Sequence, residues 1–98
     1  MKKKTAAKKM SGPYEIGANY FVRTVTHHYT GRLVEVYEHE LVLVDAAWIA
    51  DDGRWQQAIA TGALNEVEPY PDGARCIIGR GSIVDACAVA WPLPRAQK

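Results

Sequence analysis

The sequence predicts a mainly β domain, a small closed barrel of five or six short strands carrying one short helix. Three observations lead there. Short β-branched and aromatic runs recur through the chain, turn residues separate them, and only one segment has helical periodicity. At 98 residues the chain has room for one core, and strands this short favour a closed barrel over a sandwich. Hydrophobic residues make up 48% and charged residues 23%, ordinary globular values that argue against disorder and against a disulfide scaffold.

The net charge of +1 divides unevenly. Residues 1–10 hold five lysines and no acid, whereas the remainder holds seven basic residues against all eleven acids, a net −4. The expected organisation is therefore a basic tail over 1–12 and one domain over 13–98, with Ser11-Gly12-Pro13 punctuating the boundary. The tail reads either as a solvated terminus or as a phosphate-contacting arm. It lacks the apolar stretch of a secretory signal, and two cysteines make no disulfide framework, so a cytoplasmic location is expected. The longest apolar runs, such as Ala86 to Trp91, are too short to cross a bilayer.

From Tyr20 the pattern turns β-like through Phe21, Val22, Thr24, Val25 and Thr26. Thr30 to Val36 continues it, with Leu33 on one face and Val34 and Val36 on the other. Tyr37-Glu38-His39 can close a hairpin into Glu40 to Asp45, where Leu41 to Val44 reads as a strand buried on most of both faces. Asp51 or Asp52 can cap a helix starting near Arg54, with Trp55, Ala58 and Ile59 on one face and Gly62 as its stop. Such a helix is marginal unless Trp55 packs on something. Glu66 to Tyr70 and Arg75 to Ile78 flank Pro71-Asp72-Gly73, which suits a tight turn. Ile83 to Val89 forms the last strand before Pro92 and Pro94.

No group of residues carries an enzymatic signature, so a non-catalytic protein without cofactor is expected. His27 and His28 should point to opposite faces of a strand, and neither the C-x-x-C nor the H-x-x-x-H spacing of a zinc site is present, so no metal is expected. A hydrolase using His27 or His28 with a nearby acid is the remaining catalytic option. Asp51-Asp52 and Glu66 with Glu68 read as a helix cap and a solvated strand face. Cys76 would oppose Cys87 if Ile78 to Ser82 were a simple hairpin turn, and would part from it if the chain changed sheet there. Gly79-Arg80-Gly81-Ser82 reads either as a turn in which the glycines take unusual dihedrals or as an anion-binding backbone nest assisted by Arg80.

Two segments resemble a known family. Thr30-Gly31-Arg32-Leu33-Val34-Glu35-Val36 with Leu41-Val42-Leu43-Val44-Asp45-Ala46 resembles the first Sm motif, and Ile78-Gly79-Arg80-Gly81-Ser82-Ile83-Val84 resembles the second. The resemblance implies a strongly bent five-stranded Sm-like (SH3-like) barrel that assembles into a homo-oligomeric ring and binds single-stranded RNA through loops lining the pore. His39 or Glu40 stands where the family places an RNA-contacting Asn, Arg80-Gly81 is offset from the usual order, and the helix from Arg54 is an insertion between the third and fourth strands. The runs Thr26 to Gly31, Asp45 to Asp51 and Asn65 to Pro69 also resemble short phage and prophage proteins of unassigned function; a phage origin would admit sequestration of a nucleotide-like host immune signal, as other small phage proteins do.

The resulting expectation is a phage-encoded, oligomeric, non-catalytic protein that recognises a nucleotidic ligand. Arg80, Gly81 and Ser82 would meet phosphate, Tyr29, Tyr37 and Trp48 would stack on bases, and His39 and Glu40 would occupy the family's loop position. The alternative is a structural or assembly protein that docks onto a partner through Trp55 and through Trp91-Pro92-Leu93-Pro94.

Overall fold

The computed structural model describes residues 12–98. The expected basic tail therefore lies, Gly12 apart, outside the described residues. The chain forms β1 (Asn19–Thr24), β2 (His28–Val36), β3 (Glu40–Asp51), helix α1 (Trp55–Thr61), β4 (Glu66–Pro69), β5 (Cys76–Gly79), a single 3-10 turn (Arg80–Ser82) and β6 (Ile83–Ala88). It is mainly β, as expected, and the helix does lie between the third and fourth strands.

The strands make one antiparallel sheet in the order β4-β3-β2-β1-β6, with β5 also paired to β3. Six strands fall within the five or six read from the sequence and exceed the five of the Sm-like barrel; among the described residues no pairing between β5 and β6 closes the sheet into a barrel, which corrects the expected closure. The cause is β3, whose 12 residues would span roughly 40 Å if straight. Its first half, Glu40 to Leu43, takes β5 as a neighbour, and its second half, Ala47 to Asp51, takes β4. Between the halves Asp45 adopts φ 53°, a left-handed conformation that Asp tolerates better than most side chains. Arg32 Nη1 donates to the Asp45 carboxylate at 2.9 Å.

Register shifts at Thr30/Arg32 and Leu33/Glu35 bend β2 in step with β3. The second shift corrects one expectation: an extra residue between Leu33 and Val36 puts both in the same core cluster rather than on opposite faces. Gly31 lies at the bend, where a Cβ would stand 2.9 Å from that of Leu43.

Both faces of the sheet are covered. Tyr20 and Val22 point into one cluster with Leu33, Leu41, Leu43, Ala46, Cys76 and Ile78. Phe21, one residue out of phase, points into a second with Ala47, Ile49, Ala58, Leu64, Val67 and Trp91. Leu41 and Leu43 enter the first cluster, and Val42 between them is buried as well, so the apolar run Leu41 to Leu43 is covered on both faces.

Helix α1 covers the second cluster with Ala58, while Trp55 stands edge-on to Phe21 at 5.3 Å. Neither acid caps it. Arg54 occupies the cap position without a side-chain bond, Asp51 accepts the Gly53 N–H at 2.9 Å, and Asp52 pairs with His28 at 2.9 Å. Gly53, at φ 74°, turns the chain between those acids and the helix. Gly62 does end α1, at φ 81° with its N–H on the Ala58 carbonyl. Trp91 seals the same cluster and donates its indole N–H to the Ile59 carbonyl at 2.8 Å.

The Pro71-Asp72-Gly73 turn forms with Gly73 at φ 81° and the Ala74 N–H on the Pro71 carbonyl at 3.1 Å. The cysteines separate because β5 joins β3 and β6 joins β1: Cys76 is buried opposite Leu43, and Cys87 is exposed opposite Phe21. No helix among the described residues is long and apolar enough to cross a membrane.

Candidate functional site

Strand register assembles an aromatic cleft on one face of the sheet. Tyr29 of β2 pairs with Trp48 of β3, and Trp48 pairs with Glu68 of β4. Directly opposed residues share a face with Cβ atoms about 4.5–5.5 Å apart, so the three form a row. His27 and Tyr70, two residues from Tyr29 and Glu68 respectively, extend it on the same side, and Pro69 and Pro71 complete a cleft of about 370 Å³. The His27 ring stacks on Tyr29 at 6.1 Å and tilts against Trp48 at 5.8 Å. Tyr29 meets Tyr70 at 6.5 Å. Trp48 remains 40% exposed, so its ring is available to a ligand.

The ionisable groups of the cleft are few. Burial pushes the Tyr70 hydroxyl up to about 12, with smaller contributions from Cys76 and Tyr29. It stays protonated at neutral pH. Burial likewise raises the Cys76 thiol, and a hydrogen bond with Tyr70 opposes it. Among the described residues Glu68 is the only carboxylate lining the cleft and no Lys or Arg lines it; the Glu68 Oε2 accepts the Gln97 side-chain amide at 3.1 Å.

The residues expected to bind ligand fall into two places. Tyr29 and Trp48 meet in the cleft. Tyr37, His39, Glu40, Arg80, Gly81 and Ser82 gather instead where the β2–β3 hairpin meets the 3-10 turn, and none of them lines the cleft. There Glu40 pairs with Gly79, and the Arg80 N–H donates to the His39 carbonyl at 2.9 Å. Arg80 Nη1 donates to the Tyr37 carbonyl at 2.8 Å, and its guanidinium lies 5.4 Å from the Tyr14 ring. Ser82 donates to the Gly79 carbonyl at 2.7 Å. Neither Gly79 nor Gly81 has positive φ. Their dihedrals are ordinary because three residues suffice to turn the chain as a 3-10 helix from β5 into β6. The Tyr37 hydroxyl donates to Glu35 at 2.7 Å, a bond that raises its pKa.

His27 and His28 do point to opposite faces. His27 enters the cleft, whereas His28 lies beside Phe21 and pairs with Asp52. On that second face Arg23 donates to Asp85 at 2.8 Å and stacks over Trp55 at 4.2 Å. Among the described residues no group of three or more His, Cys, Asp and Glu side chains could hold a metal ion.

The chain matches no known protein family, no curated protein and no solved structure.

Sequence reasoning missed His27, Glu68 and Tyr70 as members of one site. The i, i+2 pairs His27/Tyr29 and Glu68/Tyr70 mark shared strand faces. What joins them is the register of β2, β3 and β4, and β4 is 38 residues downstream of β2 when Glu66 is counted from His28.

Proposed function

We propose that the chain is a non-catalytic binding protein that stacks the ring of a nucleotidic ligand, single-stranded RNA or a small nucleotide, in the Tyr29–Trp48 cleft. The observation that carries this reading is the convergence of His27, Tyr29, Trp48 and Tyr70 around about 370 Å³, a size within the range of small-molecule sites. Stacking on an aromatic side chain contributes roughly 1–3 kcal/mol per base. With no Lys or Arg among the described residues that line the cleft, phosphate groups stay outside it. Arg80 does not line the cleft and engages Nη1 with the Tyr37 carbonyl, so no phosphate of the ligand stacked there is placed on it.

Self-association is part of the proposal. Among the described residues β6 pairs only with β1, and Val84 on β6 and Ile77 on β5 are 63% and 62% exposed. An unpaired edge with apolar neighbours invites a strand from another chain. Pairing of β6 with β5 of a second copy would complete the Sm-like barrel and propagate a ring. In a phage, such an oligomer would sequester a nucleotide-like host signal in the bacterial cytoplasm. The alternative, docking of a protein partner through the Trp side chains, draws less support. Trp91 is buried, and Trp55, although 38% exposed, has Phe21 and Arg23 against its ring.

Native mass spectrometry of protein purified from a bacterial host tests both parts, since it reports subunit number and retained nucleotide together. The expected result is an oligomer with bound nucleotide, and Trp48→Ala should weaken nucleoside binding roughly 5- to 100-fold. A monomer that retains no nucleotide and binds none when titrated would refute the proposal. RNA held by the lysine tail would dissociate steeply with salt, whereas a nucleoside in the cleft would not.

A further inference from the structure

We infer that Glu68 reads the edge of the stacked base and selects guanine, whose N1–H and exocyclic N2 amino group form two adjacent donors. The inference rests on the stacking proposed above and adds the identity of the ring. Glu68 stands directly across β3/β4 from Trp48, so a base lying on the indole presents its rim toward the carboxylate. Gln97 engages Oε2 from outside, and no hydrogen bond is made to Oε1 among the described residues.

The rest of the wall accentuates this acceptor character. Pro69 and Pro71 have no N–H, and the Tyr70 N–H between them is committed to the Ala46 carbonyl at 2.8 Å. The Tyr70 carbonyl is likewise engaged, by Arg95 at 3.2 Å. The Tyr70 hydroxyl is engaged with Cys76 and Tyr29, so what the β4 side offers a ligand is the Glu68 carboxylate, a hydrogen-bond acceptor. Guanine answers it with two parallel donors. Adenine and cytosine each set one amino group beside a bare ring nitrogen, and uracil flanks its single N–H with carbonyl oxygens that the carboxylate repels. The same charge disfavours phosphate at this end, so the base enters and the sugar-phosphate remains in solvent.

Calorimetric titration of the full chain with guanosine, inosine, adenosine, cytidine and uridine provides the test, repeated on Glu68→Gln. Guanosine should bind best, about tenfold tighter than adenosine, cytidine or uridine, because a hydrogen bond to a charged group is the discriminating contact. Inosine, which lacks the N2 amino group, should fall between. Glu68→Gln should reduce guanosine affinity about tenfold and leave adenosine affinity equal or higher, because an amide donor can meet adenine's bare ring nitrogen. The side chain is exposed, and an unaltered melting temperature would show that the variant folds. Equal affinity for all the nucleosides, or a Glu68→Gln variant that still prefers guanosine, overturns the assignment of Glu68 while leaving base stacking standing. Failure of every nucleoside to bind the unmodified protein overturns the stacking reading, and the assignment with it.

Discussion

Gly62 performs two tasks, and replacing it with Ala separates them. It ends α1 at φ 81°, where an L side chain costs about 1–2 kcal/mol. A Cβ there would also lie 2.7 Å from Trp91 Cδ2, 2.9 Å from Cε3 and 3.0 Å from Cγ. The indole cannot yield freely, because it is buried in the second cluster and bonded to the Ile59 carbonyl. Overpacking of this kind costs about 1–3 kcal/mol, and loss of the indole hydrogen bond about 0.5–1.5 kcal/mol more. Gly62→Ala should therefore destabilise by roughly 2.5–6.5 kcal/mol, a large part of the stability of a small domain. Gly73→Ala is the control: its φ is also 81°, yet nothing lies within 4 Å of the added carbon. It should cost about 1–2 kcal/mol from the backbone alone. Urea titration and thermal melting at one fixed protein concentration read the difference, with each kcal/mol worth about 4–8 °C. Equal destabilisation by the two substitutions would refute the packing of Trp91 against Gly62.

Two further outcomes follow from the thiols and phenols. A brief exposure of the native chain to an alkylating reagent should modify Cys87 and spare Cys76, which is buried and has its thiolate disfavoured by that burial; peptide mass spectrometry checks this, and simultaneous labelling of both would count against the placement of β5 on β3. Tyr70 is raised from 10.0 to about 12, so the unfolded chain releases this proton before the folded one does. Its contribution to stability is complete below pH 10 and is lost as pH rises toward 12. Tyrosinate absorbance together with melting across that range tests it, and a single uniform titration of all five tyrosines would contradict the burial of Tyr70.

Local chemistry made several elements readable. Gly62 was legible as a helix stop and Asp72-Gly73 as a turn because each needs positive φ, and positive φ selects residue type. Helix α1 was legible from Trp55, Ala58 and Ile59, which repeat at helical spacing. Its start near Arg54 was legible too, but its cap was not: two acids before a helix look like caps, yet Asp51 and Asp52 are engaged by Gly53 and by His28 from β2. The bulge between Leu33 and Val36 escaped for a related reason, since period-two reasoning assumes an unbroken register.

The candidate site divides along the same line. Tyr29 and Trp48 stood out as aromatics available for stacking, and Arg80 as a cation in a glycine-rich turn, because residue type alone announces those capacities. That Arg80 closes on the carbonyl of Tyr37, while His27, Glu68 and Tyr70 join Tyr29 and Trp48, follows from pairings between distant strands. By itself the sequence determined the strand-rich class, the principal turns, the single helix and the opposite facing of His27 and His28, all set by neighbours within a few residues. Only the tertiary structure decided that β3 bends at Asp45 to serve β5 on one half and β4 on the other, and so which side chains share the cleft. Strand register depends on how two whole faces bury against separate cores, and no local pattern encodes that balance.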